Sequence, residues 1–137
     1  MQNIKSFIDS NIIIYAYSVT EKNKQNISET IISQSYSVIS IQVLQEIANI
    51  LHRKFGKNFV DVKNTLLECA SVVNEIHVNT QQTVIYACDI TQKYGYSFYD
   101  SLIIAAAIES GCSLLYSEDM QHNQLIEGKL KIVNPFL

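Results

Sequence analysis

Near its N-terminus the chain reads IKSFIDSNIIIYAY over residues 4–17. The apolar run 4–8 predicts a short strand that ends at Asp9, and residues 11–17 predict a helix that turns off the end of that strand. A short strand followed by a helix recurs along the rest of the chain. Such alternation predicts βαβ units and an α/β fold with a mostly parallel central sheet flanked by helices. Sites in such sheets form at the carboxyl ends of the strands, which is where Asp9 is placed.

The other elements follow from apolar periodicity and from capping residues. Helices are predicted over residues 23–33, 41–54, 60–73, 80–93 and 99–109. Strands are predicted over residues 36–39, 76–78 and 113–116, with a last edge strand at 132–133. The predicted N-caps are Ser40, Thr80 and Ser97, and the predicted helix breaks are Gly56, Gly95 and Gly111. With 137 residues and no internal repeat or linker, residues 1–137 are expected to form a single domain.

Composition narrows the classes of protein that fit. Ten Lys and Arg against 13 Asp and Glu give a net charge of −3, so contact with nucleic acid would depend on local basic patches. Cys69, Cys88 and Cys112 are odd in number and lie in apolar segments, which predicts buried free thiols in a reducing compartment. The sequence shows neither a signal-peptide pattern nor an apolar run of membrane-spanning length. We therefore expect a cytoplasmic location and no membrane partner.

Four acidic residues lie where an apolar run ends or a helix begins: Asp9, Glu46, Asp100 and Asp119. Each alone has an ordinary explanation, as a helix cap, a solvated helix border or a polar turn. The helix after Asp100 is apolar on nearly every side and must be buried, so it would hold this first-turn carboxylate rigidly. Taken together, the four positions predict a carboxylate cluster that binds a metal ion.

A cluster of four carboxylates needs compensating charge. At about 5 Å and an effective dielectric near ~20, each pair repels by roughly 3 kcal/mol, which gives an upper bound of ~20 kcal/mol for all the pairs. That bound exceeds the ~5–15 kcal/mol stability of a typical domain. Protons, basic partners or a divalent cation must therefore offset the repulsion. Ligands that are all oxygen favour Mg²⁺ or Mn²⁺ over zinc.

Four segments follow one another in an order typical of a known family. They are FIDSNIIIYA (7–16), SIQVLQE (40–46), YSFYDSLIIAAA (96–107) and LLYSEDM (114–120). Together they resemble the PIN-domain family, and within it the VapC-type toxins of bacterial toxin–antitoxin pairs; the ending IVNPF (132–136) fits one common branch. The resemblance implies a three-layer α/β/α fold and a Mg²⁺-dependent endoribonuclease. It also implies inhibition by a cognate antitoxin and assembly as a homodimer.

The family's acidic positions are matched by Asp9, Glu46, Asp100 and Asp119. If the cluster binds Mg²⁺, we assign Asp9 and Asp100 as principal ligands. We assign Glu46 and Asp119 as further ligands, supports for the ligands, or groups that orient the attacking water. Ser117 matches a small hydroxyl position beside the last acid, where it would hydrogen-bond a ligand or water, and Asn11 matches a polar position after the first. The chain departs from the commonest ending at SEDMQH (117–122), which leaves the separate roles of Glu118 and Asp119 open.

Two features bear on contact with RNA. A dense basic stretch, His-Arg-Lys at 52–54 with Lys57, ends the predicted helix 41–54, where it would either hold phosphates or form a solvated helix end. Tyr94, Tyr96 and Tyr99 would either stack on bases or pack in the core.

A partner surface is also predicted. Helix 23–33 has Ile27, Ile31 and Ile32 on one side and would form the wall of an apolar groove, unless these residues only pack in the core. An antitoxin could lay an apolar helix there and insert Arg or Lys into the acidic pocket.

Rival functions lack their own patterns. A receiver domain would show paired acids near the first strand, and an aspartate-based phosphatase would show Asp-x-Asp, whereas Ser10 and Asn11 follow Asp9. His52, His77 and His122 have no paired-ligand spacing and are interpreted as incidental. A noncatalytic RNA-binding or protein-interaction module with the PIN fold is the remaining alternative.

Overall fold

A six-stranded sheet forms the centre of the structure, a computed structural model that describes residues 4–137. The strands are β1 (Lys5–Ile8), β2 (Tyr36–Ser40), β3 (Glu75–His77), β4 (Leu114–Tyr116), β5 (Leu125–Ile126) and β6 (Leu130–Val133). The helices are α1 (Ser10–Ala16), α2 (Lys22–Gln34), α3 (Ile41–Arg53), α4 (Phe59–Val72), α5 (Gln81–Tyr94) and α6 (Phe98–Glu109). The α/β class predicted from the sequence is confirmed.

The sheet is parallel except at one edge, and its strand order is β3-β2-β1-β4-β6-β5. β1 pairs in parallel with β2 and β4, β2 with β3, and β4 with β6, whereas β5 pairs with β6 in antiparallel fashion. Ser6, Phe7 and Ile8 of β1 have no exposed surface. Because successive side chains of a strand point to opposite faces, both faces of the sheet are covered, as expected of a parallel sheet.

Helix boundaries follow the capping residues that the sequence predicts. The Ser40 and Thr80 hydroxyls accept hydrogen bonds from backbone N–H groups in the first turns of α3 and α5. Ser97 does the same for α6, from the N–H of Asp100 at 3.2 Å. Gly95 ends α5 with φ of 81°, a left-handed conformation that suits glycine. These three N-caps are local features, which is why sequence alone located them.

The predicted edge strand at 132–133 is wrong in its position. These residues belong to β6, which lies between β4 and β5, so the edge of the sheet is β5. The turn before β6 places Glu127 at φ 53° and Gly128 at φ 64°. A left-handed glutamate is uncommon, and here Tyr94 holds it: its hydroxyl donates to the Glu127 carboxylate and accepts from the Glu127 N–H. The contact from Tyr94 of α5 thus stabilises the turn of the β5–β6 hairpin, which the local sequence does not predict.

The prediction for the cysteines is right for two of the three. Cys69 and Cys112 are buried and free, whereas Cys88 is free but exposed on α5. Val84 and Ile85, one turn earlier on the same helix, are 44% and 55% exposed. The apolar residues around Cys88 in the sequence therefore lie partly on the outer face of α5, and their hydropathy misled the prediction. Within residues 4–137, none of the helices combines the length and apolarity needed to cross a membrane.

Substitution of a core residue in α6 tests this packing. Ile104→Ala should lower the free energy of unfolding by about 2–5 kcal/mol, because Ile104 is fully buried and its loss leaves a cavity. Ile85→Ala removes the same atoms from an exposed site and should change it by less than about 1 kcal/mol. Urea denaturation of both variants measures the difference. Equal costs would contradict the burial of α6.

Candidate active site

The chain changes direction across the sheet at the carboxyl end of β1. It passes from β1 to β2 and β3 on one side and then returns to β4 on the other side of β1. Ile8 stands opposite Tyr116 in the register of β1 and β4, and the Asp9 N–H donates to the Tyr116 carbonyl at 3.0 Å. Asp9 and Ser117 therefore emerge side by side at this switch point. Crevices at such points are where open α/β sheets bind ligands.

Asp9 has two roles in this geometry. Its Oδ1 accepts from the Ser10 N–H at 2.8 Å and so caps α1, while its Oδ2 accepts from the Ser117 hydroxyl at 2.9 Å. The side chain is buried, with 7% of the residue exposed. Burial raises the pKa of Asp9 to about 7 against the opposing effect of these two hydrogen bonds, and the nearby acids add to the rise. Asp9 therefore caps α1 and also belongs to the group of acids, the two roles that the sequence left as alternatives.

Glu46 and Asp100 are carried to the same place by two helices. α3 starts directly after β2, and in its second turn the Glu46 Oε2 accepts from the Gln42 side-chain amide at 3.2 Å. Asp100 lies in the first turn of α6, whose following residues are buried. Burial raises the pKa of Glu46, and the Asp100 charge adds to this effect. Burial likewise raises the pKa of Asp100, with a contribution from the Asp119 charge.

The structure separates the two adjacent acids after β4. Asp119 turns toward α1, where its Oδ2 accepts from the Asn11 side-chain amide at 2.7 Å. The Glu118 carboxylate instead accepts from Lys24 Nζ of α2 at 2.6 Å and from the Tyr15 hydroxyl of α1 at 2.7 Å. Although burial pushes the pKa of Glu118 upward, those two hydrogen bonds bring it below its ordinary value. Glu118 anchors the loop, and Asp119 is the acid that reaches the site.

A cavity of about 280 Å³ brings the predicted acids together. Its lining consists of Asp9, Ser10, Asn11, Glu46, Asn49, Ile50, Asp100 and Asp119. Ser117 lies behind this lining, where it holds Asp9. Sequence reasoning missed Asn49 as a lining residue, although its place three residues after Glu46 puts it on the same face of α3.

No basic side chain lines this acidic pocket within the described part of the chain. The partners of the carboxylates are neutral hydroxyl and amide groups, which leave the negative charge uncompensated. In residues 4–137, no three His, Cys, Asp or Glu side chains stand close enough together to hold an ion as they are. The acids share one cavity without converging on one point. The donor set nevertheless fits a hard divalent cation, since it is all oxygen and lacks any competing positive charge.

The other candidate residues lie around this pocket or away from it. The Tyr94 and Tyr96 hydroxyls bond Glu127 and Gln124, whereas Tyr99 is 67% exposed. None of the three histidines is part of the pocket lining. His52 stacks on Phe59, His77 contacts Glu109, and His122 accepts from the Asn134 N–H.

The raised pKa of Asp9 predicts how stability depends on pH without divalent ions. In the folded state the carboxyl holds its proton up to about pH 7, against an ordinary pKa of 3.8, so the folded state binds more protons in that window. The free energy of unfolding should therefore fall as pH rises, by about 3 kcal/mol between about pH 5 and about pH 8. Asp9→Asn should lose this contribution. Urea denaturation at both pH values measures it.

The matched control is Asp61→Asn, which changes an exposed carboxyl in the first turn of α4. It should keep the wild-type dependence on pH. An unchanged fall in Asp9→Asn would show that the Asp9 carboxyl is not the group that titrates.

The chain matches the model of a known protein family. A family model, the PIN domain, matches residues 6–126. A search of curated proteins gave no match.

Three solved structures share the fold at low sequence identity. VapC20 of Mycobacterium tuberculosis, described as a Sarcin-Ricin loop cleaving toxin, is 19% identical with a TM-score of 0.64, over 83% of this chain and 89% of that chain. A toxin–antitoxin complex from Klebsiella pneumoniae contains a chain that is 20% identical with a TM-score of 0.68, over 95% and 97%. VapBC2 of Rickettsia felis, bound to a DNA fragment from its promoter, is 20% identical with a TM-score of 0.63. The match covers 85% of this chain and 89% of that chain.

These likenesses confirm the fold predicted from the sequence and its resemblance to VapC structures. The family model spans most of β1, strands β2 to β5 and the two helices that carry Glu46 and Asp100, and it ends before β6. The protein therefore belongs to the PIN domain family.

Proposed function

We propose that this protein is a metal-dependent endoribonuclease that hydrolyses RNA phosphodiester bonds and acts as the toxin of a toxin–antitoxin pair. The observation that carries the proposal is the gathering of four carboxylates at the switch point of a PIN-type sheet, in a pocket that no basic side chain of residues 4–137 lines. The names of the three similar structures, a loop-cleaving toxin and two toxin–antitoxin assemblies, agree with it.

The residues assigned to the ion are Asp9 and Asp100 as principal ligands, with Glu46 and Asp119 as further ligands. Mg²⁺ is the expected ion, and Mn²⁺ is its expected substitute, because both prefer oxygen ligands. Held by these carboxylates, such an ion would supply Lewis-acid chemistry for hydrolysis of a phosphodiester by water.

The chain's own groups fix the direction of three of the four carboxylates. Ser117 holds one oxygen of Asp9, and Asn11 holds one oxygen of Asp119. The Gln42 amide donates both to the Glu46 carboxylate and, at 3.0 Å, to the Tyr99 carbonyl, so it ties α3 to the start of α6. Supports of this kind orient ligands and raise their effectiveness. No side-chain nucleophile is needed, because water can be the attacking group.

Loss of the central carboxylate tests the nuclease assignment. Asp9→Asn keeps the shape of the side chain and should reduce Mg²⁺- or Mn²⁺-dependent cleavage of an RNA panel by more than about 100-fold. Asp61→Asn, an exposed acid outside the pocket, should cleave like the wild type. Gel analysis of end-labelled RNA measures both.

Stability with and without Mg²⁺ gives a second test, which does not depend on catalysis and adds the variant Asp100→Asn. Mg²⁺ at about 100 times its dissociation constant should stabilise the wild type and Asp61→Asn by about 2.7 kcal/mol over chelator, and Asp100→Asn should lose this gain. Equal cleavage by Asp9→Asn and wild type would refute the site. Binding of RNA without cleavage would favour a noncatalytic PIN-fold module.

We also propose that a cognate antitoxin binds an apolar groove beside the pocket. α1, α2 and α4 enclose a cavity of about 420 Å³, lined by Ile13, Ala16, Tyr17, Glu29, Ile32, Ser33, Glu68 and Val72. Of the three isoleucines predicted as its wall, Ile32 lines the cavity, while Ile31 and Ile32 also pack against the core. An apolar wall with two carboxylates suits an apolar helix that carries Arg or Lys. A homodimer remains a prediction from family resemblance.

The antitoxin proposal predicts a groove-filling effect. Ser33→Trp, at an exposed position in the lining, should weaken binding of the small protein encoded by the adjacent gene by more than about 10-fold. RNA cleavage by the isolated toxin should stay unchanged. Thr30→Trp adds the same ring at an exposed α2 position outside the lining and should bind normally.

Co-expression followed by co-purification and titration measures binding, and a cleavage assay measures inhibition. Failure of the wild type to form a complex, with no loss of cleavage, would eliminate this partner and leave the nuclease proposal standing.

A further inference from the structure

A polar stripe on α3 runs past the acidic pocket. Its members are Gln42, Glu46, Asn49 and Arg53, spaced by four, three and four residues, which places them on one face of the helix. Glu46 and Asn49 line the pocket at the middle of the stripe. From Gln42 to Arg53 the stripe is about 16 Å long, at about 1.5 Å per residue. Its Gln42 end is buried against the Tyr99 backbone, and its Arg53 end is exposed.

A cation stands at one end of the stripe. Arg53 is exposed in the last turn of α3, about 10 Å along the helix axis from Glu46. None of the ion pairs among residues 4–137 involves it. Its neighbour His52 is occupied, since its ring stacks on Phe59 and its Nδ1 lies 2.9 Å from the Lys57 carbonyl. Arg53 is thus the member of the basic stretch that lies in line with the pocket.

An aromatic surface stands at the other end. Tyr99 directly precedes Asp100, its carbonyl accepts from Gln42, and 67% of its surface is exposed. The Phe98 ring meets the Tyr99 ring edge-on, with centroids 5.7 Å apart and planes at 72°, and is itself 37% exposed. The Tyr94 and Tyr96 hydroxyls bond other side chains. Of the three tyrosines considered for base stacking, Tyr99 has the exposed ring beside the acids.

We propose that Tyr99 and Arg53 hold the RNA chain on either side of the acidic pocket. Tyr99, supported by Phe98, stacks on a base at one end of the α3 stripe, and the Arg53 guanidinium holds a phosphate at the other end. The proposal rests on the ribonuclease function proposed for the pocket. An aromatic ring stacks only on a base whose face is free, so the segment that crosses the stripe must be unpaired.

The two contacts also answer an electrostatic difficulty. Four carboxylates repel the phosphates of any RNA strand that approaches them, and residues lining the pocket supply no positive charge. Stacking is indifferent to that charge, and Arg53 stands outside the cavity while remaining in line with it. The strand is therefore held by its flanks, which leaves a central phosphate to meet the acids. A length of about 16 Å is enough for several nucleotides.

The test measures binding separately from cleavage. A fluorescent single-stranded RNA and its base-paired form are titrated with Asp9→Asn protein, with and without second substitutions. Tyr99→Ala should weaken binding of the single strand by about 5- to 150-fold, and Tyr99→Phe should restore it. Arg53→Ala should reduce the slope of log affinity against log salt by about 0.7, and Arg53→Lys should retain the slope. The base-paired RNA should bind more weakly, and Tyr99→Ala should leave its affinity unchanged.

The matched controls are Tyr36→Ala and Lys63→Ala. Tyr36 is 38% exposed at the amino end of β2, at the opposite end of the strand from the pocket, and Lys63 is exposed on α4. Both should bind like the parent, and melting curves check that every variant is folded. Normal binding by Tyr99→Ala and Arg53→Ala would overturn the proposal, as would equal effects of the controls.

The outcomes separate this proposal from the one on which it rests. If both flank variants bind and cleave normally while Asp9→Asn alone is inactive, the flank contacts are wrong and the nuclease stands. If Tyr99 and Arg53 are needed for binding but the wild type cleaves nothing, the flank contacts hold and the nuclease assignment fails. Absence of any RNA binding by the wild type would overturn both.

Discussion

The buried Asp9 carboxylate is the constraint around which the site is organised. Asp9 lies at the end of β1, where its carboxylate accepts hydrogen bonds from the Ser10 N–H and the Ser117 hydroxyl. Burial raises the pKa of Asp9 to about 7. A parallel sheet that reverses its strand order beside β1 makes this position unavoidable for the first residue after the strand. The fold therefore places a carboxyl group where water is scarce, and ionisation there has to be compensated.

The remaining acids reach Asp9 by separate routes. Glu46 and Asp100 are mounted on helices that start at capped positions, and Asp119 is held by Asn11 across the pocket. Neutral amide groups hold Glu46 and Asp119, and no basic side chain among residues 4–137 lines the pocket, so its geometry is restrained without a compensating positive charge. That combination is costly for an empty fold and useful for binding a positive ion. It is the form of conflict between stability and function that active sites commonly show.

Sequence predicted those features that depend on neighbouring residues. The strand before Asp9, the caps Ser40, Thr80 and Ser97, and the buried helix after Asp100 are all written in short local patterns. The separation of Glu118 from Asp119 was not predictable in this way, because Glu118 is fixed by Lys24, 94 positions away in the chain. The β5–β6 hairpin was not predicted for the same reason, because the Tyr94 hydroxyl on α5 stabilises the left-handed conformation of Glu127. Long-range polar contacts, rather than hydropathy, decided these cases.

Helix α1 connects the acidic pocket and the apolar groove. Its first turn supplies Ser10 and Asn11 to the acidic pocket, and its later residues Ile13 and Ala16 line the apolar groove. The helix is only two turns long and is capped by Asp9 itself. A partner that packs against its far end therefore touches the element that orients both Asp9 and, through Asn11, Asp119. The acidic pocket and the apolar groove are thus lined by successive turns of one short helix.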